Sequence, residues 1–238
     1  MKRIILIVIL CIYSFLSSAS EPKKISENKK RNWSISVFIA GSNSDVQDNM
    51  EKAIIDAGFN DKPISLFLPS SSFPAKYDRG VSWKFSIKRR LKKSFYFGIS
   101  SSKTYHGEIY GYDKDAKRLD IESSSYCISA MLIYNLNNFL DIGIGPAWLS
   151  NELWKTSEDN SDETDSFKEN KIGFTAGISA KLPQYTRFFF EFNFQLRKVG
   201  KMEVGPFYGA EPQDEPSFEK QKINFDHTLT GLGLGIHF

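Results

Sequence analysis

Several ionisable residues share the small, polar side of segments in which residue character alternates. In most of these segments Gly, Ser and Thr alternate with large apolar residues, as in strands that have one crowded face, whereas at 188–197 larger polar residues take their place. The charged residues that we single out on the small, polar side are Lys84, Asp141, Lys181, Glu191 and Arg197. Charges on a buried face need partners, because an isolated buried charge is strongly unfavourable. We therefore expect these residues to form a structural network of ion pairs and hydrogen bonds.

Other reactive residue types show no spacing that defines a catalytic or metal site. A hydrolytic centre needs a nucleophile, a base and an orienting group, and the histidines are only His106, His227 and His237. Hydroxyls at 100–102 and 123–125 lie near in sequence but fix no triad. The acidic run at 152–169 lacks the ligand spacing of a cation site. The sequence predicts no catalytic residue, no cofactor and no metal site.

The N-terminal segment has the pattern of a secretory signal. Two basic residues precede an apolar stretch at 4–16 and small residues at 17–20. We expect residues 1–20 to be a cleaved signal peptide and 21–32 a periplasmic leader. Cleavage removes two of 31 basic and none of 28 acidic residues, so 29 − 28 leaves +1, which argues against a nucleic-acid partner. It also leaves Cys127 alone, so no internal disulfide is expected.

Eight alternating segments fill the rest of the chain. The predicted strands are 33–40, 81–88, 95–111, 126–134, 140–148, 172–182, 188–197 and 225–238. No later run of about 18 apolar residues predicts a membrane helix. The pattern predicts an all-β domain at 33–238, an eight-stranded antiparallel up-and-down transmembrane β-barrel. Pro146 fits such a strand poorly, because it lacks a ladder donor.

The connections between these strands differ in length according to their parity. Those after strands two, four and six are short, whereas 41–79, 112–117, 151–170 and 199–223 are mostly long and polar. Outer-membrane barrels have short periplasmic turns and longer external loops. Pairing across the short turns predicts Tyr134 opposite Leu140, Tyr126 opposite Trp148, Lys84 opposite Gly98, and Glu191 opposite Ser179. Aromatic girdles are then expected at Trp83, Tyr126 and Trp148 on the outer side and at Trp33, Tyr134 and Phe238 on the periplasmic side.

The first long loop contains the signal of a short helix. Ser44 and Gln47 form a possible capping box, and Gly58 supplies a stop. The apolar stripe between them consists of Val46, Met50, Ala53, Ile54 and Ala57. The helix is expected to pack over the barrel rim, and the alternatives are that it binds a partner or lies on lipid.

With these features the chain resembles the small outer-membrane β-barrel proteins of Gram-negative bacteria, the OmpA/OmpX-like group. The C-terminal residues Leu232, Leu234, Ile236 and Phe238 resemble the signal that the barrel-assembly machinery reads. The resemblance implies a location in the cell outer membrane, contact with outer-membrane lipid and lipopolysaccharide, and a monomer.

Three functional hypotheses remain open. The first is a non-enzymatic barrel with a structural role or a role in surface contact, through external loops and an unknown surface partner. The second is a lipid-modifying enzyme similar to the lipid A deacylases, which use Ser and His on the lipid-facing wall. The third is a secreted lipocalin-like carrier with an apolar interior. A membrane barrel requires Glu191 and Gln195 inside and Phe190, Phe192 and Phe194 outside. For the polar interior, a narrow path for solutes is the alternative to a structural plug, but eight strands leave room for little besides side chains.

Overall fold

The computed structural model describes residues 32–44, 46, 48–50, 52, 80–112, 118–136, 139–157, 160–182, 187–204 and 221–238. These residues belong to one compact unit, Asn32–Phe238. The predicted signal peptide and the leader up to residue 31 lie outside the described residues. Within the described part, no helix is both long enough and apolar enough to cross a membrane.

The described chain is almost entirely β-structure. Its strands are β1 Trp33–Ser44, β2 Gly80–Lys92, β3 Phe95–Tyr112, β4 Arg118–Asn135, β5 Leu140–Ser157, β6 Asn160–Leu182, β7 Phe188–Lys198, β8 Lys201–Val204, β9 Gln221–Asn224 and β10 His227–His237. Eight of them form a closed barrel in the order β1-β10-β7-β6-β5-β4-β3-β2, and β8 and β9 form a separate two-stranded sheet. All neighbouring strands of the barrel are antiparallel. The predicted fold class, an eight-stranded antiparallel barrel, is confirmed.

The barrel is closed by its first and last strands. β1 pairs with β10 from Ser34↔His237 to Ser44↔His227. Beyond this ladder, Trp33 and Phe238 each donate a backbone hydrogen bond to the other, at 3.0 Å. We call the end with these residues and the short turns the turn end, and the opposite end the loop end.

The two faces of the strands have the predicted orientation. On β7, Phe190, Phe192 and Phe194 are 64%, 45% and 44% exposed, whereas Glu191 and Gln195 are buried. The large apolar residues therefore face outward and the polar ones face the lumen. This is the opposite of the orientation that a lipocalin-like carrier needs.

β5 and β6 are nine or more residues longer than predicted at the loop end, β4 is eight residues longer and β1 is four residues longer. β4 begins at Arg118, β5 continues to Ser157 and β6 begins at Asn160, so most of the segment 151–170, predicted as a loop, is a hairpin extension. The prediction stopped where the outward face ceased to be apolar. Beyond that point the inward residues Asn151 and Leu153 are still buried, so the ladder continues with a more polar outer face.

The predicted register is wrong by an even number of residues. Tyr134 lies opposite Ile142 rather than Leu140, Lys84 opposite Ser102 rather than Gly98, and Glu191 opposite Lys181 rather than Ser179. In the β4–β5 turn, for example, the Leu136 N–H donates to the Leu140 carbonyl, which moves the turn centre along the chain. A shift by an even number of residues keeps every side chain on its face of the strand. The predicted inward and outward positions are therefore correct.

Pro146 interrupts the ladder without ending the strand. The pairing of β4 with β5 skips from Ser129↔Ala147 to Leu132↔Ile144, where proline has no N–H to donate. The adjacent Gly145 allows a close approach, because a Cβ there would lie 1.9 Å from the Ala130 carbonyl oxygen.

Candidate functional site in the barrel lumen

An ion-pair network fills the lumen near the turn end. Lys88 Nζ lies 2.6 Å from Glu191 Oε1 and 3.4 Å from Asp141 Oδ2, and Lys181 Nζ lies 2.7 Å from the same Asp141 oxygen. The other Asp141 oxygen accepts a hydrogen bond from Asn135 Nδ2 at 2.6 Å. Four strands contribute these four buried charges, β2, β5, β6 and β7. Three of the five predicted network residues are thus joined, with Lys88 as the shared cation.

Lys84 and Arg197 do not join this network, which corrects the expectation for these two residues. Lys84 Nζ donates to Asn193 Oδ1 at 3.2 Å and lies 4.8 Å from the centre of the Phe38 ring. Arg197 Nη2 donates to Ser102 Oγ at 2.7 Å. The reason is axial position, because Lys84 and Arg197 lie closer to the loop end than the two carboxylates. Lys88 was missed because only the tertiary register shows which lysine of β2 reaches Glu191.

A small cavity of about 30 Å³ lies between the ion-pair network and Lys84. Its polar lining includes Lys84, Ser86, Ser100, Asn193 and Gln195 above and Lys88 and Asp141 below. This volume holds one or two water-sized species. A solute path through the lumen would need a continuous opening, which a cavity of this size does not provide.

A histidine cluster lies next to Arg197 on the loop-end side. His106 Nε2 lies 2.7 Å from Ser125 Oγ, and its Nδ1 lies 3.3 Å from Ser44 Oγ. The His106 and His227 rings are 5.0 Å apart in an edge-to-face arrangement, and His227 Nε2 is 3.5 Å from Arg197 Nη1. The sequence did not predict the pairing of His106 with Ser125, because it depends on a bulge between Tyr105 and Gly107 in the β3–β4 register. The sequence indicated only that His106 and Ser125 both lie on the inward face of their strands.

The hydrogen bonds of this cluster differ from those of a catalytic Ser–His pair. Ser125 donates its hydroxyl proton to Asn151 Oδ1 at 2.8 Å, and its Oγ also lies 2.7 Å from His106 Nε2. A base would instead accept the serine proton. His106 and Ser125 are each 1% exposed, so they face the lumen interior and not the lipid-facing wall.

An apolar cap closes the lumen at the loop end. It consists of Val46, Met50, Ile121, Cys127, Ala147, Leu149, Leu153, Val199, Met202, Val204, Ile223 and Phe225, with Phe167 packed against it. Residues 46, 48–50 and 52 are helical, and Val46 and Met50 are fully buried in the cap. The predicted helix of the first loop therefore packs into the barrel mouth. Gln47 of the predicted capping box and the remaining predicted helix residues, Ala53, Ile54, Ala57 and Gly58, lie outside the described residues.

Asp226 holds the ribbon of β8 and β9 in place beside the cap. Its Oδ1 accepts from the backbone N–H groups of Val199 and Gly200 at 2.7 and 2.9 Å, and its Oδ2 lies 2.9 Å from Lys198 Nζ. Gly200 has a φ of 88°, which suits glycine. Partial burial alone would raise the pKa of the Asp226 carboxyl, but the hydrogen bonds from Gly200 and Lys198 outweigh it and hold the pKa below its usual value.

The predicted assembly residues at the C-terminus lie on the outside of the barrel. Leu232, Leu234 and Phe238 are 68%, 61% and 53% exposed, and Ile236 is half-buried. They continue the outward apolar face of β10 to the turn end.

No protein-family model matches the chain, and neither does any curated protein. Several solved structures are similar. They include Ail, the attachment invasion locus protein of Yersinia pestis, with 11% identity, a TM-score of 0.49 and coverage of 88% of this chain and 100% of that one. A major outer membrane protein from Thermus thermophilus has 11% identity, a TM-score of 0.47, and coverage of 87% and 99%. Neisserial surface protein A has 11% identity, a TM-score of 0.44, and coverage of 89% and 100%. The likeness concerns the barrel architecture.

Proposed function

We propose that this protein is a non-enzymatic outer-membrane barrel with a structural role or a role in surface contact at its loop end. The observation that carries the proposal is a belt of exposed apolar side chains to which every barrel strand contributes. Representative members are Ile39, Phe85, Ile99, Leu132, Ile144, Phe174, Phe192 and Leu234, each more than 40% exposed. Soluble proteins rarely expose contiguous apolar surface on this scale. A lipid bilayer solvates such a belt, and a closed barrel leaves no unpaired sheet edge within it.

The belt has an aromatic edge on each side. Trp83, Tyr126 and Trp148 are exposed at the loop-end edge, where the rings of Tyr126 and Trp148 lie 6.2 Å apart. Trp33 and Phe238 are exposed at the turn end. Aromatic side chains concentrate at the two interfaces of membrane barrels. The positions of these edges support a transmembrane belt with the turn end on the periplasmic side.

The strands continue beyond the loop-end edge of the belt. β5 runs on from Trp148 to Ser157, nine residues that span roughly 30 Å along the strand. Together with the paired part of β6, it forms a hairpin extension on which Trp154 and Lys168 are exposed. It forms the surface through which the barrel would contact lipopolysaccharide or an unidentified surface partner. The assembly machinery would engage the C-terminal residues of β10 during insertion.

The non-enzymatic part of the proposal rests on the lumen. Many of its polar groups are bonded to one another beneath the apolar cap, and Ser125 donates its hydroxyl proton to Asn151. If the protein modifies no lipid, lipid A from cells with and without it will give the same mass spectrum. A new or missing acyl chain that depends on Ser125 would contradict this part alone.

Single cysteines test the membrane topology in whole cells. Cys127 is buried, so the native thiol provides a low background. We expect Lys168→Cys to react with a membrane-impermeant maleimide in intact cells, because Lys168 is exposed on the loop-end extension. Lys93→Cys, at the turn end, should react only after the outer membrane is permeabilised. Ile144→Cys, in the belt, should stay unlabelled in both conditions.

The same samples provide the localisation control. The protein should fractionate with the outer membrane and migrate differently on gels before and after heating. Labelling of Lys93→Cys in intact cells would reverse the orientation. Recovery only from the soluble periplasm would contradict the membrane proposal.

A further inference from the structure

The lumen contains more buried positive charge than buried negative charge. Six charged side chains are buried in the part of the chain that the structure describes: Lys84, Lys88, Lys181 and Arg197 against Asp141 and Glu191. Lys88 and Lys181 bond to the two carboxylates. Lys84 and Arg197 are left as an excess of two cations. A desolvated charge without a counter-charge is strongly unfavourable, so this part of the lumen favours an anion.

The hydrogen-bond and ring partners of these two cations are neutral. Lys84 Nζ contacts the amide oxygen of Asn193 and the face of the Phe38 ring. Arg197 donates to Ser102 and Gln195, and its Nε has no hydrogen-bond partner among the described residues. The two residues share a neighbour, because Lys84 lies opposite Ser102 in the β2–β3 ladder and Arg197 Nη2 donates to Ser102 Oγ.

The cavity of about 30 Å³ adjoins Lys84 and is lined by further donors. Asn193 turns its Oδ1 to Lys84, which leaves its amide N–H groups as donors, and Ser86 adds a hydroxyl. Asp141 also lines the cavity. Its oxygens, however, are already bonded to Lys88, Lys181 and Asn135.

We propose that this cavity binds one halide ion, chloride in the cell, beside Lys84 Nζ. The Asn193 amide and the Ser86 hydroxyl complete the donor set. The volume suits a monatomic ion of roughly the size of one or two waters, whereas sulfate, phosphate and carboxylates are larger. The bound ion offsets half of the excess positive charge and ties β2 to β7 across the lumen. This inference is independent of what the loop end contacts.

Bromide provides a direct test, because it scatters anomalously and replaces chloride. Crystals of the refolded full-length barrel grown in sodium bromide should show an anomalous peak within about 3.5 Å of Lys84 Nζ. The peak should be absent in Lys84→Met, which keeps an unbranched side chain one atom shorter and without the charge. It should remain in Lys103→Met, which removes an exposed lysine of β3.

Thermal unfolding in detergent provides a second measurement. At constant ionic strength, set with potassium gluconate, the wild-type midpoint should rise by roughly 3 °C for each tenfold increase in chloride above the dissociation constant. Gluconate is too large for the cavity, and it keeps the ionic screening of charges constant. Lys84→Met should lose the rise, and Lys103→Met should keep it.

If Lys84→Met does not fold, measurements on the wild-type protein alone still test the proposed halide site. Equal midpoints in chloride and gluconate, together with no bromide peak at Lys84, would overturn the proposal. That result would mean that Lys84 is uncharged or is neutralised by another part of the chain. A bromide peak elsewhere in the lumen would equally contradict this site.

Discussion

At the scale of single residues, the charged side chains of the lumen lie at different positions along the barrel axis. Asp141 and Glu191 lie near the turn end, and Lys88 binds both carboxylates. Lys181 binds only Asp141 among the described ion pairs. Lys88 is therefore the residue whose loss affects most of the network.

Replacing Lys88 should destabilise the barrel more than replacing any exposed lysine. Lys88→Met leaves Glu191 buried without its 2.6 Å cationic partner, and breaking a buried pair in this way costs about 3–5 kcal/mol. We expect that loss in the free energy of unfolding, measured by urea denaturation of the barrel in lipid vesicles.

Two further variants show whether the loss of unfolding free energy in Lys88→Met comes from the unpaired Glu191. Lys103→Met should change the same free energy by less than about 0.5 kcal/mol, because Lys103 is exposed. The double variant Lys88→Met/Glu191→Gln should recover part of the loss by removing the unpaired carboxylate. Equal stabilities for Lys88→Met and Lys103→Met would show that Lys88 is not a central cation.

At the scale of elements, the helical segment of the first loop is part of the barrel core. Val46 and Met50 are 0% and 1% exposed and pack with Ile121, Leu149 and Leu153. The barrel strands supply an apolar inward face at the loop end, and the helical segment covers it. This packing explains why a surface connection carries an apolar stripe.

Met50→Ala should therefore behave as a core substitution. Removing a buried methionine side chain costs about 2–5 kcal/mol, which denaturant unfolding will register as a lower midpoint. Lys52→Ala is the matched control, because Lys52 is helical and exposed and should change stability by less than about 0.5 kcal/mol. If Met50→Ala and Lys52→Ala have the same midpoint of denaturant unfolding, the helical segment does not pack in the cap.

At the scale of the whole molecule, the barrel has an apolar outside and a filled inside. Ion pairs occupy the turn end of the lumen, hydrogen-bonded cations and histidines lie above them, and the apolar cap closes the loop end. The layers leave room for an ion or for one or two waters between them. This arrangement separates the lumen, whose contacts stabilise the barrel, from the loop end, for which we propose a role in surface contact.

The filled lumen predicts an electrically silent barrel. In planar lipid bilayers the wild-type protein should show no steady ionic current, because a permeating ion would have to cross the apolar cap without water. A general porin inserted under the same conditions provides the positive control. A steady current that scales with salt concentration would contradict the plugged lumen.

The sequence by itself determined the number of barrel strands, the inward and outward faces and the residues available to the lumen, but not the β8–β9 ribbon, which lies in a predicted loop. These follow from an alternation of period two, which is local and survives the shift in register. Only the tertiary structure decided which of those residues meet. The turn centres and bulges set the register, and the register joined Lys88 to Glu191 and His106 to Ser125 while leaving Lys84 and Arg197 apart. Alternation places a side chain on a face, but pairing across strands far apart in sequence places it beside a partner.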